Sequence, residues 1–300
     1  MIYFDKNWIQ FIKYQNFQKL EDYDLKRALN PISQIEDNDF FVSWGENVKK
    51  TKHAVIETGF FKDSLHIDRV GLYANASFNF QSFQTYIENY EAPISWKNLP
   101  LKQKFKQPEK QEKWHGIVLP LQHHNDRSVL SVGSSKDYHN FVENACKYYG
   151  SKILLKKHPV TLGNKEEMAR VEEIALRYNC IIDHVDTSII NHAEFVLVYN
   201  STFVIDALMR NKHVVHFAPG YFWQSKVCQY SHYTFPNKLI QNNVDYINKF
   251  LDFLPWKYCI HYGQSIEKYS KIIKKLANEN EIYPLPEEYS YANYILTNEN

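Results

Sequence analysis

The chain has little that would mark a secreted, membrane-spanning or nucleic-acid-binding protein. Its 300 residues include only four cysteines, Cys146, Cys180, Cys228 and Cys259. None forms a C-x-x-C pair, so a zinc ribbon or a disulfide framework finds no support, and reduced thiols in a cytoplasmic protein are the simple expectation. Charge of one sign is also lacking: 35 Lys and Arg against 34 Asp and Glu leave a net +1. No whole-protein field then points to nucleic acid or to an anionic membrane. No stretch approaches the ~20 apolar residues needed to span a bilayer, and the first residues lack the apolar core of a signal peptide. The P-loop pattern, the G-x-G-x-x-G fingerprint and the G-x-S-x-G elbow are all missing, which argues against ATPase, simple dehydrogenase and α/β-hydrolase chemistry. Internal repeats and low-complexity tracts are absent too.

What the chain does have is an aromatic load of 22 Tyr and 19 Phe within a 44% hydrophobic composition. That supports a sizeable core, with tyrosine suited to half-buried rims. Residues 39–44 and 54–57 read as short buried strands, and residues 65–68 and 71–73 as a hairpin turning at Arg69-Val70. Residues 80–90 suggest a helix. Residues 93–113, rich in proline and lysine, read as an exposed loop or linker. From Gly116 strands at 116–121, 153–155, 180–182, 195–198 and 214–217 alternate with helices at 137–149, 164–178, 187–191 and 202–209. Such alternation predicts an α/β fold with a parallel sheet covered on both faces. The last eighty residues read as helical, notably 244–254 and 265–278. The expected division is an N-terminal domain over 1–115, its boundary lying between 95 and 116 or as late as about 135. A nucleotide-sugar domain over 116–255 follows, and helices over 256–300 return to the first domain.

Ligands of open α/β sheets sit at the carboxyl ends of strands, so the loops there carry the candidates. Lys156-Lys157-His158-Pro159 is a compact cationic spot suited to phosphate. Tyr199-Asn200-Ser201-Thr202 offers hydroxyls and N–H groups, with Thr202 expected to open a helix; an anion site and an ordinary N-cap both fit. Asp206, one turn on, is within reach of a ribose hydroxyl or is a plain surface carboxylate. The loop Gln122-His123-His124-Asn125-Asp126-Arg127-Ser128 packs several titratable groups together. Its paired histidines invite a metal reading, but no third ligand is evident in the sequence. Asp126 and Glu57 are the two carboxylates suited to sugar transfer, and each also has a structural reading.

Five blocks between Val42 and Phe222, in this order and spacing, resemble the capsular-polysaccharide β-Kdo transferases, which use CMP-Kdo. Trp44-Gly45 and Glu57-Thr58-Gly59-Phe60 are followed by Asp68 to Ala74 with Gly71-Leu72-Tyr73. Leu119 to Ser128 is similar to V-x-G-Q-V-E-D-D-A-S, and Lys156-Lys157-His158-Pro159 to K-P-H-P. Ser201 to Phe222 resembles S-x-x-G-F-E-A-L-x-x-G-K-x-V-x-x-x-G-x-P-F-Y. The departures are His124 and Asn125 at the family's glutamate and first aspartate, and Asp206 at the glutamate of G-F-E-A-L. Thr58 replaces an acidic residue, and Leu121, Val204, Asn211 and Ala218 replace glycines. The resemblance implies a GT-B-like pair of Rossmann-like domains facing across a cleft, with CMP held mainly by the C-terminal one and neither metal nor cofactor. It implies retention through Asp126 as nucleophile with Glu57 as acid/base. The donor contacts expected are Gln122, Lys156, His158, Ser201, Thr202 and Asp206, and the partner is a glycan or glycolipid acceptor. Peripheral association with the inner membrane would then come through other biosynthesis proteins. Two other readings share the anion loops: a transferase of glycerol phosphate from CDP-glycerol, and an inactive CMP-binding scaffold.

Overall fold

The computed structural model describes residues 2–4, 25–27, 40–45, 52–101, 113–158, 165–183, 187–236, 238–278 and 285–298. Pro159 and most of the proline- and lysine-rich stretch, residues 102–112, lie outside them.

The chain divides into two compact units. The first comprises residues 1–77, 89–104 and 252–300. Its sheet is built from β1 (Ile2–Phe4), β2 (Leu25–Arg27), β3 (Phe40–Trp44), β4 (His53–Thr58) and β5 (Ser64–Asp68). Strands β1 to β4 pair in parallel in the order β4-β3-β1-β2, while β5 runs antiparallel to β4. Phe40, Val42, Ala54, Ile56, Leu65 and Ile67 form one side of its core, against Tyr269, Ile272, Ile273 and Leu276 of the helix Ile266–Asn278.

The sequence suggested that residues 65–68 and 71–73 pair as a hairpin, and they do not. Tyr73 has φ 56°, left-handed backbone that no strand can include, and it opens a 3₁₀ turn. Asp68 stops the strand instead. Its Oδ1 accepts the N–H groups of Val70 (2.7 Å) and Gly71 (3.1 Å), pulling the chain into a turn. Its Oδ2 accepts from Ser77 N (2.8 Å), Ser77 Oγ (2.7 Å) and Tyr258 Oη (2.7 Å). On its other side from β4, β5 pairs antiparallel with a strand from nearly 200 residues away, at Cys259–His261.

The second unit comprises residues 78–88 and 105–251. The helix Gln81–Glu88, counted by sequence with the N-terminal domain, therefore groups with this unit. The reason is local packing: Phe78 and Phe83 meet edge to face at 5.4 Å, and Phe78 also meets Phe222 and Phe250 at 5.3 and 5.4 Å. Its strands are β6 (Ile117–Pro120), β7 (Ile153–Lys156), β8 (Ile181–Asp183), β9 (Phe195–Val198), β10 (Val214–His216) and β11 (Gln229–Tyr230). All pair in parallel, in the order β11-β10-β9-β6-β7-β8; the remaining strand of the first sheet is then β12 (Cys259–His261). Strands β6, β7, β9 and β10 are buried along their whole length. This is why they read as continuous apolar runs instead of alternating patterns.

The long helix Ser135–Tyr149 begins at a full capping box: Ser134 Oγ accepts from Asp137 N, and Asp137 accepts from Ser134 N. It lays Tyr138, Phe141, Val142 and Ala145 on the sheet. Phe141 packs at 4.5 Å from Phe217 and 5.3 Å from Tyr199. Much of the aromatic content thus serves as a layer beneath the strand ends. No helix among the described residues is long and apolar enough to cross a membrane.

Candidate functional site

Because β7 and β9 flank β6 in a parallel sheet, the loops that follow these three strands emerge side by side. Gln122, just past β6, joins two of them. Its Nε2 donates to Ser128 Oγ (3.1 Å) and to Asn200 Oδ1 (3.0 Å), and its Oε1 accepts from Asn200 N (3.2 Å). Asn200 Nδ2 in turn donates to the carbonyls of Ser128 (2.6 Å) and Pro219 (3.3 Å). Gln122 and Asn200 are both buried, so this is a closed polar clamp in which each amide group finds its partners. The Gln122 N–H donates to Tyr138 Oη at 2.7 Å, and burial pushes the Tyr138 phenol well up, so it stays neutral. Gly220 completes the clamp: a Cβ there would lie 2.8 Å from both Asn200 Cβ and the His216 ring. The sequence points to the clamp only weakly. Gln122 is a donor-contact candidate, whereas Asn200 is marked only by its place in the loop after β9.

The clamp holds the loop that carries Asp126. Asp126 is exposed and is the N-cap of a short helix, Arg127–Leu130. Its Oδ1 accepts both Ser128 N (2.8 Å) and Ser128 Oγ (2.6 Å). Since Ser128 Oγ also receives Gln122 Nε2, the carboxylate is the outer end of a chain running Asn200–Gln122–Ser128–Asp126. The capping reading therefore describes this residue.

Lys156 ends β7 and is only 3% exposed. Its Nζ lies 5.7 Å from the centre of the Phe203 ring, so a cation and an aromatic face tie the loop after β7 to the loop after β9. His158, Ser201, Thr202 and Asp206 are all half-buried on these two loops and the helix behind them. That helix is Val204–Leu208, two residues later than the sequence suggested. Ser201 Oγ takes the Phe203 N–H (3.2 Å), a local turn that competes with helix formation and leaves Thr202 outside it. Glu57 belongs to the other unit, near the end of β4, where its Oε1 accepts from Thr58 N (2.7 Å) and Thr58 Oγ (2.9 Å).

The histidine pair has a partner that sequence spacing could not show. Glu167, on the helix Lys165–Arg177, is buried, and its Oε1 lies 2.9 Å from His124 N and 2.8 Å from His124 Nδ1. His123 Nε2 is 3.8 Å from Glu167 Oε2. His139 adds a third ring, 5.2 Å from that of His124, its basicity lowered by burial and by Arg170.

A family model described as capsule polysaccharide biosynthesis protein matches residues 96–229, the stretch that contains these loops. At family level the chain is similar to the KpsC-type β-Kdo capsule transferases. Two solved domains of Thermosulfurimonas dismutans KpsC share its fold. The β-Kdo 2,4 transferase is 15% identical, covers 92% of this chain and 98% of its own, and has a TM-score of 0.57. The β-Kdo 2,7 transferase is 18% identical, covers 87% and 92%, and has a TM-score of 0.54. No protein of curated function matches the sequence. The α/β architecture with two sheet-containing domains is thus the GT-B-like fold of these KpsC structures.

Proposed function

We propose that the chain is a glycosyltransferase that moves Kdo or a related ulosonic acid from its CMP-activated donor to a polysaccharide or glycolipid acceptor. The observation that carries this reading is the Lys156–Phe203 contact, which joins two polar loops beside the clamped Asp126 loop. In the proposal, Lys156, His158, Ser201 and Thr202 neutralise the CMP phosphate, and Asp206 takes a ribose hydroxyl. Gln122, its amide already engaged, holds the loops at a fixed separation. Asp126 attacks the anomeric carbon as CMP leaves. Glu57 then manages the acceptor proton in the second displacement, giving net retention. In this reading the reaction takes place in the cytoplasm, and the boundary between the domains lies between residues 95 and 116 or slightly after.

A donor-consumption assay with CMP-Kdo and CDP-glycerol tests the activity. Turnover of CMP-Kdo is expected; turnover of CDP-glycerol alone replaces the reading with glycerophosphate transfer, and CMP binding without turnover of either replaces it with a scaffold. For the donor site, a hydrogen bond to a charged group contributes ~1.5–3 kcal/mol, so His158→Ala should weaken CMP binding roughly 10- to 150-fold by titration calorimetry. Unchanged affinity removes His158 from the site.

A further inference from the structure

We propose that His123, His124 and Glu167 form a binding site for a divalent transition metal of the zinc type, separate from the transfer chemistry. One ligand atom from each of these three residues lies within 4.8 Å of the other two. Around a zinc with bonds of about 2.0–2.1 Å, tetrahedral ligand atoms stand roughly 3.3 Å apart. The two imidazoles approach the Glu167 carboxylate from its two oxygens, 2.8 Å from His124 Nδ1 to Oε1 and 3.8 Å from His123 Nε2 to Oε2, distances on either side of that value. Small rotations of the side chains would make room for the ion. Two imidazoles and a carboxylate are a donor set suited to zinc, not to magnesium or calcium, which take oxygen ligands.

The surroundings are those of a built site. The Glu167 side chain is only 3% exposed, and the His124 N–H fixes the direction of its carboxylate. His124 Nδ1, one of the proposed ligand atoms, is fully buried, and the neighbouring His139, 7% exposed, has its Nε2 buried without a hydrogen-bond partner among the described residues. His123 Nδ1 accepts from Asn125 N at 3.1 Å, so its Nε2 carries the ring proton. Ligation through Nε2 moves that proton to Nδ1 and exchanges the Asn125 contact for the metal bond. The ion would tie the Asp126 loop to the helix Lys165–Arg177, and would position that loop without touching the donor.

The test is metal titration of the full chain after chelator treatment. Calorimetry with Zn²⁺ alone should give one equivalent per chain, and Co²⁺ should give the visible absorption bands of a tetrahedral nitrogen–oxygen site. His123→Ala and His124→Ala should each weaken Zn²⁺ at least about tenfold. His115→Ala, altering a different histidine pair whose rings are 5.6 Å apart, should leave it unchanged. His123 is part-exposed, so its variant is the one expected to fold if the others do not. Absence of stoichiometric binding by the parent overturns the proposal. So does equal affinity in the parent and His123→Ala, or equal weakening in His115→Ala.

Discussion

Asp68 and Asp126 both end a buried strand or follow one closely, and both bend the chain by accepting N–H groups two residues on, yet they are held in different ways. Asp68 is 2% exposed and its two oxygens receive five hydrogen bonds from four residues, one of them Tyr258 from the far end of the chain. Asp126 is exposed, and the bonds that hold it converge on Oδ1 from Ser128 alone. A saturated, buried carboxylate stabilises architecture, because its lone pairs are satisfied by hydrogen bonds inside the protein. A carboxylate anchored by one oxygen and open to solvent is oriented but not consumed, which is what a reacting group requires.

The sharpest test of that contrast is Asp126→Asn. Asn caps a helix about as well as Asp, so folding and CMP binding should persist while donor consumption falls more than about 10³-fold, as when a nucleophile is removed. A rate within a few-fold of the parent would leave Asp126 as a cap only. Asp68→Asn should do the reverse. It replaces one acceptor oxygen by an NH₂ group that faces other donors, and leaving these buried groups unsatisfied should cost ~3 kcal/mol or more, read by chemical denaturation. A stable Asp68→Asn protein would mean that the hub is redundant.

A third test concerns acid. His216 is fully buried with Nδ1 donating to the Ala218 carbonyl (3.2 Å), and burial lowers its pKa to about 4. Its neutral form is favoured in the folded state, so its contribution is complete above the unfolded value near 6.5. It is lost as pH falls toward 4, by ~3 kcal/mol at most. The parent should lose stability across that window more steeply than His216→Asn, measured by denaturation at several pH values. His139 and His213, also lowered by burial, keep a residual slope in the variant. Equal slopes would show that His216 titrates normally. The smallest effect expected is in the clamp: a double-mutant cycle of Gln122→Ala and Asn200→Ala should show a coupling of ~1–2 kcal/mol. Additive losses would mean that the two loops are held elsewhere.

The parallel sheet of the second unit was legible because burial on both faces writes itself as apolar runs such as Phe195–Val198, and the helices between them carry one apolar stripe each. The loops at the strand ends were legible for the same reason, since a parallel sheet puts its carboxyl ends on one edge. The hairpin expectation at residues 65–73 failed because both edges of β5 are already taken, by the preceding strand β4 and by β12, and local patterning does not identify a partner as far along the chain as β12. The helix Gln81–Glu88 was recognised as a helix, but its unit was decided by Phe78 and Phe83 packing against each other and against Phe222 and Phe250.

By itself the sequence determined the buried strands and helices of the second unit from Ile117 to His216, and which loops bear charge and hydroxyls, because these follow from the periodicity of burial and the chemistry of neighbours. The short strands Gln229–Tyr230 and Cys259–His261, in a stretch that reads as helical, take their form from the sheets they join. Tertiary structure alone decided which residues meet. Gln122 finds Asn200 across 78 residues, and His124 finds Glu167 across 43. A hydrogen bond or a ligand set requires atoms within about 3 Å, and only folding brings such distant positions that close.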